Sequence, residues 1–295
     1  GIEDQINFIN FDLMDALNVY DVIISGNFDE IYNLAALSSV GASWDFPIQT
    51  SQVDALGPLY ILDAIRRSGK PTKFYQASTS EMYGLIQEPI QNEQTPFYPR
   101  SPYGVSKLFA HSMTVNYRES YGMHCSSGIL FNHESPLRGR EFVTKKITMQ
   151  LSEIKLGLRE KLSLGNLNAK RDWGYAKEYV VGMHLMLQQS QGDDYVLATG
   201  STTTVRDFVK FAANVLEMDI KFEGSGQNEV GYIPETGRII VDVSKEFFRP
   251  AEVDVVLGDA SKAKKILNWS AKTSVQELAA IMAESDINQL TKLSK

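Results

Sequence analysis

Positive charge is in short supply in this chain. Its 29 lysines and arginines face 36 aspartates and glutamates, for a formal net charge of −7. With no cationic excess to neutralise phosphates, a general nucleic-acid binder is excluded. Cysteine is nearly absent: Cys125 stands alone, so no internal disulfide can form, and the composition fits a reducing cytoplasm. No uninterrupted apolar run approaches the ~20 residues that a membrane span requires. The 4 histidines show no metal-ligand spacing, so no metal is expected. What remains is ordinary for a globular chain, with 43% hydrophobic and 22% charged residues, enough to build a well-buried core.

Short apolar runs alternate with amphipathic stretches through the first two-thirds, which predicts a parallel sheet covered by helices. Strands are expected at Asn7 to Phe11, Glu30 to Ala35, Lys73 to Ser78 and Cys125 to Phe131. A helix is expected from about Thr50 to Arg67, stopped by Gly69 and kinked at Pro58, where a backbone hydrogen bond is lost. Later segments differ in texture. Strand-like runs at Tyr195 to Ala198 and Ile220 to Glu223 flank a helix opened near Thr204, with Asp207 three residues on. Ser274 and Glu277 form a capping-box signature for the last helix. Gly224 to Gly237 reads as a polar, glycine-rich loop over a site.

The expected fold is therefore α/β, a Rossmann-like doubly wound parallel sheet with a smaller α+β lobe. The dinucleotide-binding part is assigned to residues 1–131 with about 167–194, and the substrate lobe to 132–166 with about 195–295. Such a fold normally carries a glycine-rich turn after its first strand. None is present; Gly1 is isolated, and Gly1-Ile2-Glu3-Asp4 resembles neither a signal peptide nor a natural start. The expectation is a chain lacking its first βαβ unit, on the order of 30 or more residues. The alternative is a complete protein that binds no dinucleotide.

Two clusters carry chemistry. Tyr103-Gly104-Val105-Ser106-Lys107 sets a phenol and an ammonium four residues apart, on one face of a helix. A neighbouring cation favours a phenolate, which is what a tyrosine needs to act as a base. Alone, this spacing is as readily a half-buried tyrosine beside a solvated lysine. Ser78-Thr79-Ser80-Glu81 follows an apolar strand and so lies at its carboxyl end, where open α/β sheets bind ligands. If extended geometry persists there, Thr79 and Glu81 share one face and Ser80 takes the other. By itself the segment is also an unremarkable strand end with turn-forming hydroxyls.

Together with longer blocks, these residues resemble the GDP-mannose 4,6-dehydratase family. The blocks are Gln76 to Gly84, Thr95 to Lys107, Val115 to Gly122, Ile129 to Pro136, Arg171-Asp172-Trp173-Gly174 and Phe248-Arg249-Pro250-Ala251-Glu252. The resemblance implies conversion of GDP-D-mannose to GDP-4-dehydro-6-deoxy-D-mannose, with loss of water and with NADP recycled in each turnover. It assigns Tyr103, helped by Lys107, to the 4-hydroxyl proton, Thr79 to a hydrogen bond at that oxygen, and Glu81 to the C5 proton and departure of the 6-hydroxyl. A simple epimerase or reductase needs no such carboxylate, so Glu81 separates the reaction classes.

By the same resemblance, Asp12, Leu13, Leu34, Ala35, Ala36, Ser38, Tyr103, Lys107, His133 and Arg138 contact the cofactor. Ser80, Asn132, Thr144, Lys145, Gly165, Asn166, Arg171, Arg249 and Glu252 contact the nucleotide sugar. Arginine's planar fork suits a diphosphate. From the residues alone, Asp12 is equally a helix cap, His133 a structural polar histidine, and Lys145-Lys146 a solvated basic pair. The chain departs from the family pattern at Leu37, Ser39, Gln49, Pro58 and Tyr175, mostly on the cofactor side. Other nucleotide-sugar 4,6-dehydratases remain an alternative, although TDP-glucose enzymes usually carry Asp-Glu where this chain has Ser80-Glu81. A 4-reductase or epimerase on the same scaffold is a further alternative, and a silent dinucleotide-binding sensor is the reading from another class. Related enzymes pair through the helix bearing the tyrosine and lysine, which implies a homodimer or homotetramer.

Overall fold

The computed structural model describes residues 2–247 and 257–293. Helix α1 (Ala16–Ser25) opens where the Asp15 carboxylate accepts the amides of Leu17 and Asn18, at 3.0 and 3.2 Å. Strand β1 (Glu30–Asn33) follows, then two short helices, α2 (Ala42–Asp45) and α3 (Pro47–Ser51). A π-turn at Gln52–Leu56 leads into α4 (Gly57–Ser68). Pro58 explains the widening: it has no N–H to give Asp54, and its ring crowds that carbonyl. The helical run is continuous over residues 47–68, as expected from about Thr50 to Arg67. It widens by a π-turn just before Pro58, which falls in the first turn of α4, where no donor is needed. Gly69 closes α4 at φ 66°, a left-handed conformation that suits glycine.

Strand β2 (Lys73–Thr79) pairs in parallel with β1, from Glu30 opposite Lys73 to Asn33 opposite Gln76. A 3₁₀ turn at Ser80–Met82 ends it, and α5 (Pro102–Tyr121) and β3 (Cys125–Leu130) follow. Then come β4 (Asn132–Glu134), α6 (Val143–Lys155), β5 (Leu162–Leu164), β6 (Lys170–Arg171), β7 (Trp173–Tyr175) and α7 (Ala176–Leu187). The chain continues with β8 (Asp194–Leu197), β9 (Thr203–Thr204), α8 (Val205–Val215), β10 (Lys221–Glu223), β11 (Val230–Ile233) and β12 (Arg238–Val243). It closes with α9 (Ser261–Leu267) and α10 (Val275–Leu293).

These elements divide into two compact units. The first takes in residues up to 84, 97–129 and 183–195. The second takes in 85–96, 130–182 and the described residues from 196 onward. In the first, α1 packs on α4, α4 on α5, and α5 on β2. Its core is built from Val19, Ile23, Ile61, Leu62, Ile65 and Phe74. Each such side chain contributes roughly 1.5–3 kcal/mol when withdrawn from water. The sheet order is β1-β2-β3-β8, and β3 is buried along its whole length, as a strand covered on both faces should be. The expected strand at Asn7 to Phe11 does not form. No strand pairs with it among the described residues, and Phe8 is 84% exposed. An apolar run becomes a strand only when a neighbour takes up its backbone hydrogen bonds.

In the second unit α6, α8 and α10 pack on one another around Ile147, Leu151, Phe208, Leu278 and Met282. Their sheet runs β10-β11-β12-β5, parallel between β12 and β5 and antiparallel elsewhere. Both expected caps are present. Thr204 accepts the Asp207 amide at 3.0 Å; Ser274 Oγ accepts the Glu277 amide at 3.2 Å, and Glu277 returns the bond to the Ser274 amide at 2.8 Å. The stretch from Gly224 to Gly237 corrects the expectation of a loop, because it contains β11. Gly231 lies at a bulge in that strand, packed so closely that a Cβ would sit 3.0 Å from both Phe222 and Val241.

Candidate active site

The first unit brings Thr79, Ser80, Glu81, Tyr103 and Lys107 to the carboxyl end of β2. Helix α5 begins at Ser101, whose hydroxyl accepts the Gly104 amide at 3.0 Å, with Pro102 in the first turn. Tyr103 and Lys107 therefore lie on the opening turns of a well-anchored helix. Both are buried, and the Lys107 ammonium stands 5.8 Å from the centre of the Tyr103 ring. Lys107 Nζ donates to Ala77 O at 3.1 Å, its single hydrogen bond among the described residues. An ammonium has three donors, so two are available to a ligand. Burial lowers the Lys107 pKa, and the Asp54 carboxylate opposes that shift.

Extended geometry does not continue past Thr79. The Thr79 hydroxyl captures the Glu81 amide at 3.2 Å and turns the chain into the 3₁₀ turn at once. Period-two alternation of Thr79, Ser80 and Glu81 is thus corrected: the local hydroxyl competes successfully with strand continuation. Ser80 is buried, and Glu81 is half-buried. Two glycines allow the close packing that holds this turn. A Cβ on Gly104 would lie 2.8 Å from Glu81 O, and one on Gly84 would lie 2.0 Å from Tyr98 O. Gly84 is also at φ 53°.

The other residues assigned to the cofactor in this unit lie on two loops. Asp12 caps no helix; its carboxylate accepts the Met14 amide at 2.9 Å while Asp15 caps α1. Leu13 is buried beside Gly57, where a Cβ would come within 2.9 Å of the leucine. Leu34, Ala35, Ala36 and Ser38 follow β1, at its carboxyl end, and are exposed or half-buried. This loop is tied to the π-turn by the Leu37 amide, which donates to Asp54 Oδ1 at 2.8 Å. The unusual leucine therefore leaves the backbone tether intact. Asp54 is fully buried, its Oδ2 has no hydrogen-bond partner among the described residues, and burial raises its pKa against the pull of Lys107. Sequence reasoning missed Asp54, though a carboxylate amid Val53, Ala55 and Leu56 was a signal.

The second unit holds its own cluster. Asn132 and His133 lie on β4, which pairs with β7. His133 Nδ1 is 2.9 Å from Phe131 O; a carbonyl can only accept, so Nδ1 carries the proton and Nε2 is an acceptor. The ring stacks on Tyr179 with centroids 5.0 Å apart. Burial, opposed by the bond to Phe131 and assisted by the Arg138 cation, pushes the His133 pKa down to about 4. Arg138 pairs with Glu134 at 3.1 Å and lies over the Phe142 ring. Thr144 donates to the same Glu134 carboxylate at 2.6 Å.

Lys145 is buried, donates to Pro136 O at 2.7 Å and forms an ion pair with Asp286, which also accepts from Thr148 at 2.7 Å. It is neither solvated nor paired in role with Lys146, whose ammonium sits 3.3 Å from the centre of the Phe247 ring. Gly165 lies against Phe247 O, with Asn166 beside it, both half-buried. Half-buried Arg171 donates to Lys170 O at 2.8 Å. Asp172, also missed from sequence, accepts Thr199 N, Thr199 Oγ1 and Gly200 N at 2.7–3.0 Å, anchoring that loop. Arg249 and Glu252 lie outside the described residues. Among the described residues no group of three or more His, Cys, Asp or Glu side chains is placed to hold a metal ion. Nor is any helix long and apolar enough to cross a membrane.

Solved structures share this architecture. The RMD protein of Pseudomonas aeruginosa, complexed with NADPH, superposes with a TM-score of 0.81 at 21% identity, covering 95% of this chain and 88% of its own. A UDP-glucose 4-epimerase of Thermus thermophilus, complexed with NAD, gives 0.78 at 22%, covering 96% and 85%. The fold is thus the Rossmann-like α/β fold that these two structures share. The family described as GDP-mannose 4,6 dehydratase matches residues 1–282. The GDP-mannose 4,6-dehydratase of Sinorhizobium fredii is 53% identical over 281 residues, 95% of this chain and 80% of that protein. That of Dictyostelium discoideum is 50% identical over 281 residues, 95% and 79%. This chain belongs to the GDP-mannose 4,6-dehydratase family.

Proposed function

We propose that the protein converts GDP-D-mannose to GDP-4-dehydro-6-deoxy-D-mannose with loss of water, with NADP as its cofactor. The observation that carries this reading is the placement of Glu81 one short turn beyond Thr79, its carbonyl against the first turn of α5 beside Tyr103. Lys107 fits a nicotinamide ribose, since its buried ammonium has two donors without partners among the described residues. Leu34, Ala35, Ala36 and Ser38 would hold the cofactor after β1, with Asp12 and Leu13 near the adenine; His133 and Arg138 are the remaining residues we assign to it. When bound, the nicotinamide supplies a hydride acceptor that is regenerated within a turnover.

The protein's own residues handle protons. Tyr103 accepts the 4-hydroxyl proton, and the Lys107 cation favours its phenolate. Thr79 donates a hydrogen bond to that oxygen. Oxidation at C4 acidifies the C5 hydrogen, which Glu81 removes, then protonates the departing 6-hydroxyl. The nucleotide sugar is taken by Asn132, Thr144, Lys145, Gly165, Asn166, Arg171, Arg249 and Glu252, together with Ser80.

We also propose a homodimer or homotetramer joined through α5. Val105 and Phe109 are exposed there, with Trp44 and Phe46 exposed on the neighbouring α2 segment. The protein is assigned to the cytoplasm, where Cys125, buried and free, stays reduced. Incubation with NADP and either GDP-mannose or TDP-glucose, followed by mass spectrometry, tests the activity. Loss of water from GDP-mannose alone is expected; turnover of TDP-glucose alone, or of both equally, defeats it.

A further inference from the structure

Tyr103, Lys107 and His111 follow one another at four-residue spacing, so they form one stripe along α5. The chemistry above uses the first two. His111 is 6% exposed, and its Nδ1 lies 3.1 Å from Ser78 Oγ. One turn earlier Lys107 holds Ala77 O at 3.1 Å. The last residues of β2 are therefore gripped in succession: Ala77 by Lys107, Ser78 by His111, and Thr79 through its bond to the Glu81 amide.

A second brace reaches the far side of the turn. The His111 ring meets Phe97 edge-on, with centroids 5.4 Å apart, and Phe97 lies 5.1 Å from the Tyr83 ring. The next residue, Tyr98, donates its amide to Met82 O at 3.1 Å. One imidazole thus supports both flanks of the segment Thr79–Tyr83. Burial lowers the His111 pKa, opposed by Asp194 and assisted by Arg118, so the ring is neutral. Its bond to Ser78 joins two neutral groups out of reach of water, where a hydrogen bond is stronger than at the surface.

We propose that His111 is a positioning residue for the dehydration: bonded to Ser78 and braced on Phe97, it fixes the Thr79 hydroxyl and the Glu81 carboxylate relative to Tyr103. The chemistry of this inference rests on the dehydratase reading; its geometry does not. A histidine that only filled the core would cost stability when replaced and leave the folded enzyme's kcat alone. A positioning histidine lowers kcat in enzyme that is fully folded, because a misplacement of about 1 Å costs up to about 10²-fold in rate.

Three substitutions separate these roles. His111→Phe keeps a ring for Phe97 and removes the hydrogen bond; Ser78→Ala removes the same bond from the other side; His111→Asn retains a polar atom near the place of Nδ1. At temperatures where each variant is folded by circular dichroism, His111→Phe and Ser78→Ala are expected to lose about tenfold in kcat on GDP-mannose, with KM unchanged. The double variant should fall no further than the worse single, since both delete one interaction. His111→Asn should recover most of the loss. Hydrogen–deuterium exchange read on the peptide spanning residues 79–83 should accelerate in the two defective variants, whatever the substrate. Parental kcat and parental exchange in Ser78→Ala overturn the proposal, even if His111→Phe fails to fold. If the parent is inert towards GDP-mannose while exchange still accelerates, the anchoring stands and the dehydratase reading falls.

Discussion

The hydroxyl of Thr79 accepts the amide of Glu81 at 3.2 Å, so the residue that ends β2 also caps the turn carrying the acid two positions on. One side chain thereby sets the place of another, to which the proposed chemistry gives work at a different carbon of the sugar. Thr79→Ser keeps the acceptor and should retain most of the turnover. Thr79→Val, of nearly the same size, should lower kcat by about 10²-fold through the lost hydrogen bond and the loosened turn. Equal kcat for the valine and serine variants would remove the hydroxyl from both roles.

Glu81→Gln preserves size and hydrogen-bonding capacity while deleting a base. Overall dehydration should fall by about 10²–10⁴-fold, and solvent exchange at C5 should slow in step, with substrate binding little changed. Tyr103→Phe should instead stop the first oxidation, so that no reduced cofactor accumulates. Single-turnover absorbance together with mass spectrometry of product formed in deuterated water distinguishes the two. Normal deuterium incorporation at the parental rate in Glu81→Gln would assign the C5 proton to another group.

Breaking the buried pair of Lys145 and Asp286 should cost more than deleting it. Lys145→Met leaves the Asp286 carboxylate without its cation, and about 3–5 kcal/mol of stability should be lost. Lys145→Met combined with Asp286→Leu should restore much of that, as urea unfolding would report. A combined variant no more stable than the single would show that the loss does not come from an unpaired carboxylate.

His133 makes folding stability depend on pH in a defined direction. Its folded pKa is pushed down to about 4, whereas a histidine in an unfolded chain titrates near ~6.5. Between those values the unfolded chain binds the extra proton. The contribution is therefore complete above pH ~6.5 and is lost as pH falls towards the folded value, by up to roughly 1.4 kcal/mol per pH unit. His111 and His124 are shifted in the same direction and add to the slope. His133→Gln should flatten the dependence of urea midpoints on pH across this window; an unchanged slope would mean the ring takes up a proton without resistance.

Features set by neighbouring residues were legible in the sequence. Ser274 with Glu277 and Thr204 with Asp207 cap their helices because each signature lies within one turn. Tyr103 and Lys107 share a face because helical spacing alone requires it, and Ser101-Pro102 supplies the start. Features decided by distant partners were not legible. The run at Asn7 to Phe11 has strand composition but no paired neighbour among the described residues, while β11, with its glycine, is a strand because Phe222 and Val241 close over Gly231. Lys145 looks like half of a solvated basic pair until Asp286 arrives from a helix far along the chain. The turn at Ser80–Met82 was misjudged for a local reason, since the period-two pattern ignored the acceptor that Thr79 offers.

The π-turn at Gln52–Leu56 holds one residue more than the α-helical turn it replaces. Because the wide turn takes up that residue within one circuit, α3 and α4 on either side keep the phase they would have in an unbroken helix. Removing one residue there would close the turn to ordinary α-helical width and leave the two flanking helices nearly where they are. The residue whose place is at stake is Asp54, buried inside the widened turn, where its carboxylate accepts the Leu37 amide at 2.8 Å. Substitutions at the exposed Gln52 and Leu56 side chains alter only the surface. The surplus residue is thus a local adjustment of chain length, confined to the turn that tethers the loop after β1.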